Sequence, residues 1–184
     1  MKFTTFIGLI CLLGCYQCLR NFKIVQENVK VDIKAPDIIE NAEIFIRKLN
    51  RTFDGLNSTA TFKVDLNDSI YISAKSFEKR GNRYHPSIMD TKLDFCAFLK
   101  NPAKHSLVLA LFYPTVIEHG NFPRKCPIPA GYYYIYNFNV NEEAFPPYFP
   151  IDSRWRFVMS VFHHERPLFI TTIGFRVDPK NFWD

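Results

Sequence analysis

A chain of 184 residues with 47% hydrophobic and 22% charged side chains has the size and composition of one globular domain with a real core. The net charge of +5 is mild, and Lys and Arg form no run long enough for a nucleic-acid footprint, so no nucleic-acid partner is expected. The aromatic share is unusual: 19 Phe, 9 Tyr and 2 Trp make up 16% of the chain. Such rings favour strands and bury large areas; they either fill a β core or partly line a cavity.

The N-terminus reads as a secretory signal. Lys2 supplies the positive start, 6–13 is an apolar run too short to span a bilayer, and Gly14, Cys15 and Cys18 are small. This predicts a signal peptide over 1–18, cut between 14 and 20, and a secreted, extracellular domain over 19–184. No second long apolar stretch follows, so no membrane span is expected.

Cys11 and Cys15 leave with such a signal, and the fate of Cys18 depends on the cut. Cys96 and Cys126 remain, with 29 residues between them. In an oxidising compartment they are expected to pair, which is worth roughly 3–4 kcal/mol in the chain-entropy picture. Three sequons, at Asn50, Asn57 and Asn67, are candidate glycosylation sites in turn-like sequence.

Taken in order, 24–31 alternates Ile24, Val29 and Val31 against Gln26 and Lys30 and reads as a first strand ended by Pro36. A second strand is expected over 42–49, and Asp54-Gly55 reads as a turn. The clearest alternation is 59–66, with Phe62, Val64 and Leu66 on one face. Asn67-Asp68 reads as a tight turn into a strand over 69–79. These three strands suggest a meander, closed by a turn at Gly81-Asn82.

From Pro86 the pattern turns helical. Asp90 or Thr91 is the expected cap of a short helix through Phe95, Phe98 and Leu99, stopped by Asn101-Pro102. A second helix is expected over 103–117, kinked or ended by Pro114. The proline-punctuated 122–130 leads to a strand over 131–140, with Tyr132, Tyr134, Tyr136, Phe138 and Val140 on one face.

The stretch 144–150 reads as a stiff loop carrying exposed rings. Two strands follow, 153–163 and 168–177, joined at Glu165-Arg166-Pro167. The first sets Trp155, Phe157, Met159 and Val161 against Arg154 and Arg156; the second aligns Phe169, Thr171, Ile173, Phe175 and Val177. The expected fold is mainly β: an immunoglobulin-like sandwich of seven or eight strands with a short helical excursion in the middle.

Chemistry-bearing motifs are sparse. G-x-S-x-G, H-E-x-x-H and P-loop patterns do not occur, and no carboxylates pair obviously, so no catalytic residue is assigned and a non-enzyme is expected. His163-His164-Glu165 invites a metal reading, but neighbouring strand residues point to opposite faces, so no metal site and no cofactor are expected.

The remaining candidate is apolar surface. Phe157, Met159, Val161, Phe169, Ile173 and Phe175 sit on adjacent strands and either fill a core or line a pocket for an apolar ligand. Arg154 and Arg156, with Phe145, Tyr148 and Phe149, are the candidate rim.

Several short motifs carry a family likeness: Gly81-Asn82-Arg83-Tyr84, Asp94-Phe95-Cys96, the helical stretch after it, Cys126-Pro127, and the run from Pro150 through Asp152 and Trp155 to Arg156. Over about 59–177 they resemble an insect family of small secreted proteins known as domain of unknown function 1091. That family is similar to the MD-2-related lipid-recognition (ML) group and to chemosensory B-type, ganglioside-activator-like proteins.

The resemblance implies an ML-like sandwich with an internal hydrophobic cavity, and binding rather than catalysis. It supplies no catalytic residues. The lipid-recognition group usually carries more disulfides than the single Cys96–Cys126 pair here.

Two functions follow as expectations. The first is a secreted binder of a small hydrophobic ligand, a lipid or semiochemical, with a chemosensory role. The second is a secreted interaction module with a filled core, docking on a receptor or other extracellular protein through the rings of 145–149. A continuous cavity favours the first and a close-packed interior the second.

Overall fold

The computed structural model describes residues 21–48, 54–67, 69–139, 142, 145 and 149–180. The expected signal segment, Asn50, Val140 and Tyr148 lie outside the described residues.

Eight strands are described: β1 (Phe22–Ile33), β2 (Ile39–Lys48), β3 (Asp54–Phe62), β4 (Ile70–Arg80), β5 (Arg83–Asp94), β6 (Gly131–Phe138), β7 (Ser153–His163) and β8 (Arg166–Pro179). Between β5 and β6 lie three helices: α1 (Phe95–Lys100), α2 (Pro102–His105) and α3 (Leu107–Glu118). The strands form two antiparallel sheets, a five-stranded one in the order β1-β8-β7-β4-β5 and a three-stranded one in the order β2-β3-β6. This is the expected mainly β sandwich with a helical excursion.

The apolar alternation builds the inner face of the large sheet. Pairing sets Val161 against Phe169, Met159 against Thr171, Phe157 against Ile173 and Trp155 against Phe175. Directly opposed residues share a face, so the alternating sets on β7 and β8 merge into one surface.

On β1 the register shifts between Gln26 and Asn28, and this bulge reverses the side-chain alternation. Gln26 therefore faces inward with Ile24, opposite Phe175, and Val29 and Val31 follow on the same side. The expected opposition of Gln26 to Val29 does not occur. Gly174 accommodates the bulge: a Cβ there would meet the Asn28 side chain at 2.5 Å.

Several expected boundaries move. Asp54 and Gly55 pair with Lys48 and Arg47 inside the β2–β3 ladder, so they are not the turn. The meander fails after β3. The chain leaves the small sheet at Phe62, bridges Leu66 to Ile128 and enters the large sheet at Ile70. Leu66 and Ile70 are both fully buried, whereas Lys63, Val64, Asp65 and Asn67 are exposed, so the crossing is anchored in the core at Leu66 and Ile70, and Val64 does not share the buried face expected of it.

Strand β5 occupies sequence expected to turn helical. Its Pro86 is tolerated because β5 is an edge strand, where a missing N–H breaks few ladder bonds. Across from it, a register shift between Lys75 and Phe77 lets the Ser76 hydroxyl accept from Met89 N at 2.9 Å.

Helix α1 is capped by Asp94, whose Oδ1 accepts from Ala97 N at 2.9 Å, and not by Asp90 or Thr91, which lie in β5. The expected single helix over 103–117 divides at Ser106, which caps α3 through Leu109 N. Pro114 lies within α3, which continues to Glu118. After α3, Gly120 bridges Ile135, and His119 and Asn121 hydrogen-bond the free edge of β6.

The Cys96–Cys126 disulfide forms as expected, with a Cα–Cα distance of 5.7 Å. It ties the start of α1 to the segment returning to β6. Phe95, Phe98 and Leu99 of α1 are buried beside it, with Leu66, Ile70, Ile128 and Leu168, in the larger of two core clusters.

Candidate functional site

The interior is closed at both ends of the sheet by different residues. The larger cluster surrounds the disulfide, with Phe98 edge-on to Tyr113 at 5.4 Å and Phe95 edge-on to Phe122 at 5.7 Å. It holds a partly open, apolar-lined cavity of about 30 Å³, lined in part by Phe62, Phe122, Val161 and Phe169. That volume suits about one water-sized group. The smaller cluster consists of Phe22, Phe149, Trp155 and Val177, with Ile24, Phe145 and Phe175 packed against it.

Between the clusters lies a band that belongs to neither. Phe157 and Met159 of β7 and Ile173 of β8 face inward, on the same side as buried Trp155, Val161, Thr171 and Val177, yet each remains partly exposed. Val29 extends the band onto β1, opposite Ile173, while Val31, opposite Thr171, packs on the disulfide-end cluster. Their partial exposure means that the layer over them does not seal them from solvent. Polar groups are set into this surface: Gln26, Ser76 and Thr171 are buried on the same side. The Gln26 Oε1 is buried without a hydrogen-bond partner.

The six expected cavity residues therefore divide. Phe157, Met159 and Ile173 form the band. Val161 and Phe169 belong to the disulfide-end cluster, and Phe175 stacks on Trp155 in the other. Val29 and Thr171 are absent from the expected set, although both lie in expected strand patterns; the signal that adds Val29 is the β1–β8 pairing.

The expected rim also divides. Arg154 lies on the outer face of the large sheet, 3.3 Å from Glu27, in an open polar depression of about 350 Å³ with Lys79, Asp152 and Arg176. Arg156, on the same outer face, stacks over Tyr84 at 3.8 Å. Neither borders the band, because the alternation that turns Phe157 inward turns both arginines outward.

Phe149 is 6% exposed, so the loop it was expected to display does not display it. Its ring packs against Trp155 at 4.8 Å and Phe22 at 5.9 Å. Phe145 bridges Phe112 of α3 and Phe175 of β8, at 6.2 and 6.3 Å, and so joins that helix to the smaller cluster.

On β6, Tyr132, Tyr134 and Tyr136 line the outer face, and the Tyr132 and Tyr136 hydroxyls are 2.7 Å apart. That hydrogen bond holds the Tyr132 phenol above its ordinary range. Phe138 leaves their face because Asn137 takes a φ of 56° in a bulge and donates its N–H to Asn57 Oδ1. The Asn57 side chain is thereby buried, whereas Asn67 is exposed.

The two histidines at the β7–β8 turn approach more closely than strand alternation allows. His164 has a φ of 55°, outside the strand, and its ring lies 4.5 Å from that of His163. Burial, then the neighbouring His164, lowers the His163 pKa, and its Nε2 has no hydrogen-bond partner. No group of three potential metal ligands occurs among the described residues. No described helix is long and apolar enough to cross a membrane.

The class defined so far is a disulfide-tied β-sandwich with an apolar band between its layers. Residues 72–156 match the family model described as a protein of unknown function, DUF1091, which supports that family for this chain. The match runs from β4 through the helices and the disulfide into β7. No curated protein matches the chain.

Proposed function

We propose that the protein is a secreted, non-enzymatic carrier or receptor of a small hydrophobic ligand, held between the two sheets. One observation carries the reading: Phe157, Met159 and Ile173 turn inward from the central strands of the large sheet and are still not sealed from solvent. Closing a ligand over them gains about 25 cal/mol for each Å² of apolar surface removed from water. Met159 offers a wall that adapts to ligand shape.

The polar groups on this face refine the ligand class. Gln26 brings an unpaired acceptor and Thr171 a hydroxyl to an otherwise apolar surface, which suits an amphiphile with one hydrogen-bonding head better than a plain hydrocarbon. A long-chain alcohol, fatty acid or similar semiochemical has that chemistry. The signal-like N-terminus and the Cys96–Cys126 bridge support secretion.

The competing reading, docking through the rings of 145–149, loses support from the burial of Phe149. Met159→Trp tests the choice. The larger side chain should occupy the band and abolish uptake of a fluorescent fatty-acid probe while circular dichroism stays native. Unchanged uptake would count against a site between the sheets.

A further inference from the structure

Helix α3 has the sequence L-V-L-A-L-F-Y-P-T-V-I-E and contains no buried residue. Its inner side is in use: Leu109 and Tyr113 pack on the disulfide-end cluster, and Phe112 meets Phe145. Its outer side is apolar as well. Leu107 is 73% exposed, Leu111 57% and Val108 42%, and Pro114 continues this side. The spacing of Leu107, Leu111 and Pro114 places them on one stripe. An ordinary surface helix carries charge there, and this one has a single ionised residue, Glu118, at its far end.

The charge has moved to the flanks. Lys100 ends α1 and Lys104 lies in α2, just before the stripe; Arg124 and Lys125 lie on the returning segment that Cys126 ties back to α1. All four are exposed, and none has an ion-pair partner among the described residues. Unpaired cations beside an exposed apolar stripe match an anionic bilayer surface, where acyl chains receive the leucines and headgroup phosphates receive the lysines. A protein partner with an apolar groove would satisfy the stripe but leave the four cations without counter-charges.

We propose that the outer face of α3, flanked by Lys100, Lys104, Arg124 and Lys125, docks the protein on anionic lipid membranes. Leu107, Val108 and Leu111 would enter the interface, with the helix lying along it and not across it. This does not depend on the band between the sheets holding a ligand.

The test is co-sedimentation of the full secreted chain with phosphatidylcholine vesicles, with and without phosphatidylserine. Binding should appear with phosphatidylserine and weaken as salt is raised. Leu107→Ser with Leu111→Ser should lower the partition constant about tenfold or more. Lys100→Glu with Lys104→Glu should remove the phosphatidylserine dependence, about fivefold per charge. All four positions are exposed, so both variants should keep the native circular dichroism spectrum. Absence of vesicle binding by the natural chain, or equal binding by both variants, would overturn the proposal. So would a concentration-dependent dimer that the leucine variant abolishes without any vesicle binding, since the stripe would then belong to a second copy of the chain.

Discussion

The disulfide end and the middle band use the same two strands for opposite ends. At Val161 and Phe169, β7 and β8 meet α1, Phe62, Leu66 and Ile70, and the space left is about 30 Å³. Two residues further along, at Met159, Phe157 and Ile173, the same alternation faces no packed cluster. The sheet is continuous and its inward chemistry is apolar throughout. What changes is the covering layer: α1 and the crossing segment at Leu66 cap one region and do not reach the other. A packed region sets stability, and one left partly exposed is free to set recognition.

The difference can be broken most sharply by truncation. Phe98→Ala at the closed end should cost roughly 3–5 kcal/mol of unfolding free energy, whereas Phe157→Ala in the band should cost less than half as much. Urea denaturation of both variants checks this, and equal losses would erase the distinction. Next in size, replacing Cys96 and Cys126 together by Ala should cost roughly 2–5 kcal/mol, because the bridge holds the helical cap on the closed end.

A smaller effect sharpens the comparison. Were the band close-packed, Met159→Trp would carry an overpacking penalty of roughly 1–3 kcal/mol. An unfilled band predicts a midpoint close to that of the natural chain, together with lost ligand uptake.

The smallest effect concerns pH. Burial lowers the His163 pKa below its unfolded value near 6.5, so the unfolded chain binds the extra proton first. Stability should be full above that value and decline as pH falls through the lower folded pKa. His163→Gln should flatten this slope in a thermal-melt series; a slope that persists unchanged would assign it to other groups.

Much of the fold was readable because period-two alternation survives wherever one strand face is buried. The sets at 155–161 and 169–177, and the cysteine pair, needed only local sequence. Errors arose where a register shift or a long-range pairing intervened. The bulge after Gln26 put a glutamine on the apolar face, and the crossing at Leu66 sent β4 into the other sheet. Strand β5 was hidden by Pro86 and by an exposed Ile88, which blurred the inward row of Met89, Thr91 and Leu93.

The candidate site was half legible for the same reason. Alternation identifies which residues face inward; it carries no record of what covers them. Hence Phe157 and Val161 looked alike in sequence and differ in surroundings. The arginine rim fails because Arg154 and Arg156, which alternate with Phe157 in the sequence, face away from the band and meet Glu27 and Tyr84 instead.

Native mass spectrometry on the chain secreted from insect cells, followed by organic extraction, tests the central claim most directly. One amphiphile per chain, carrying a hydroxyl, carboxyl or amide head, is expected in the natural protein, and none in Met159→Trp. An empty natural protein that also takes up neither fatty alcohols nor fatty acids would contradict it.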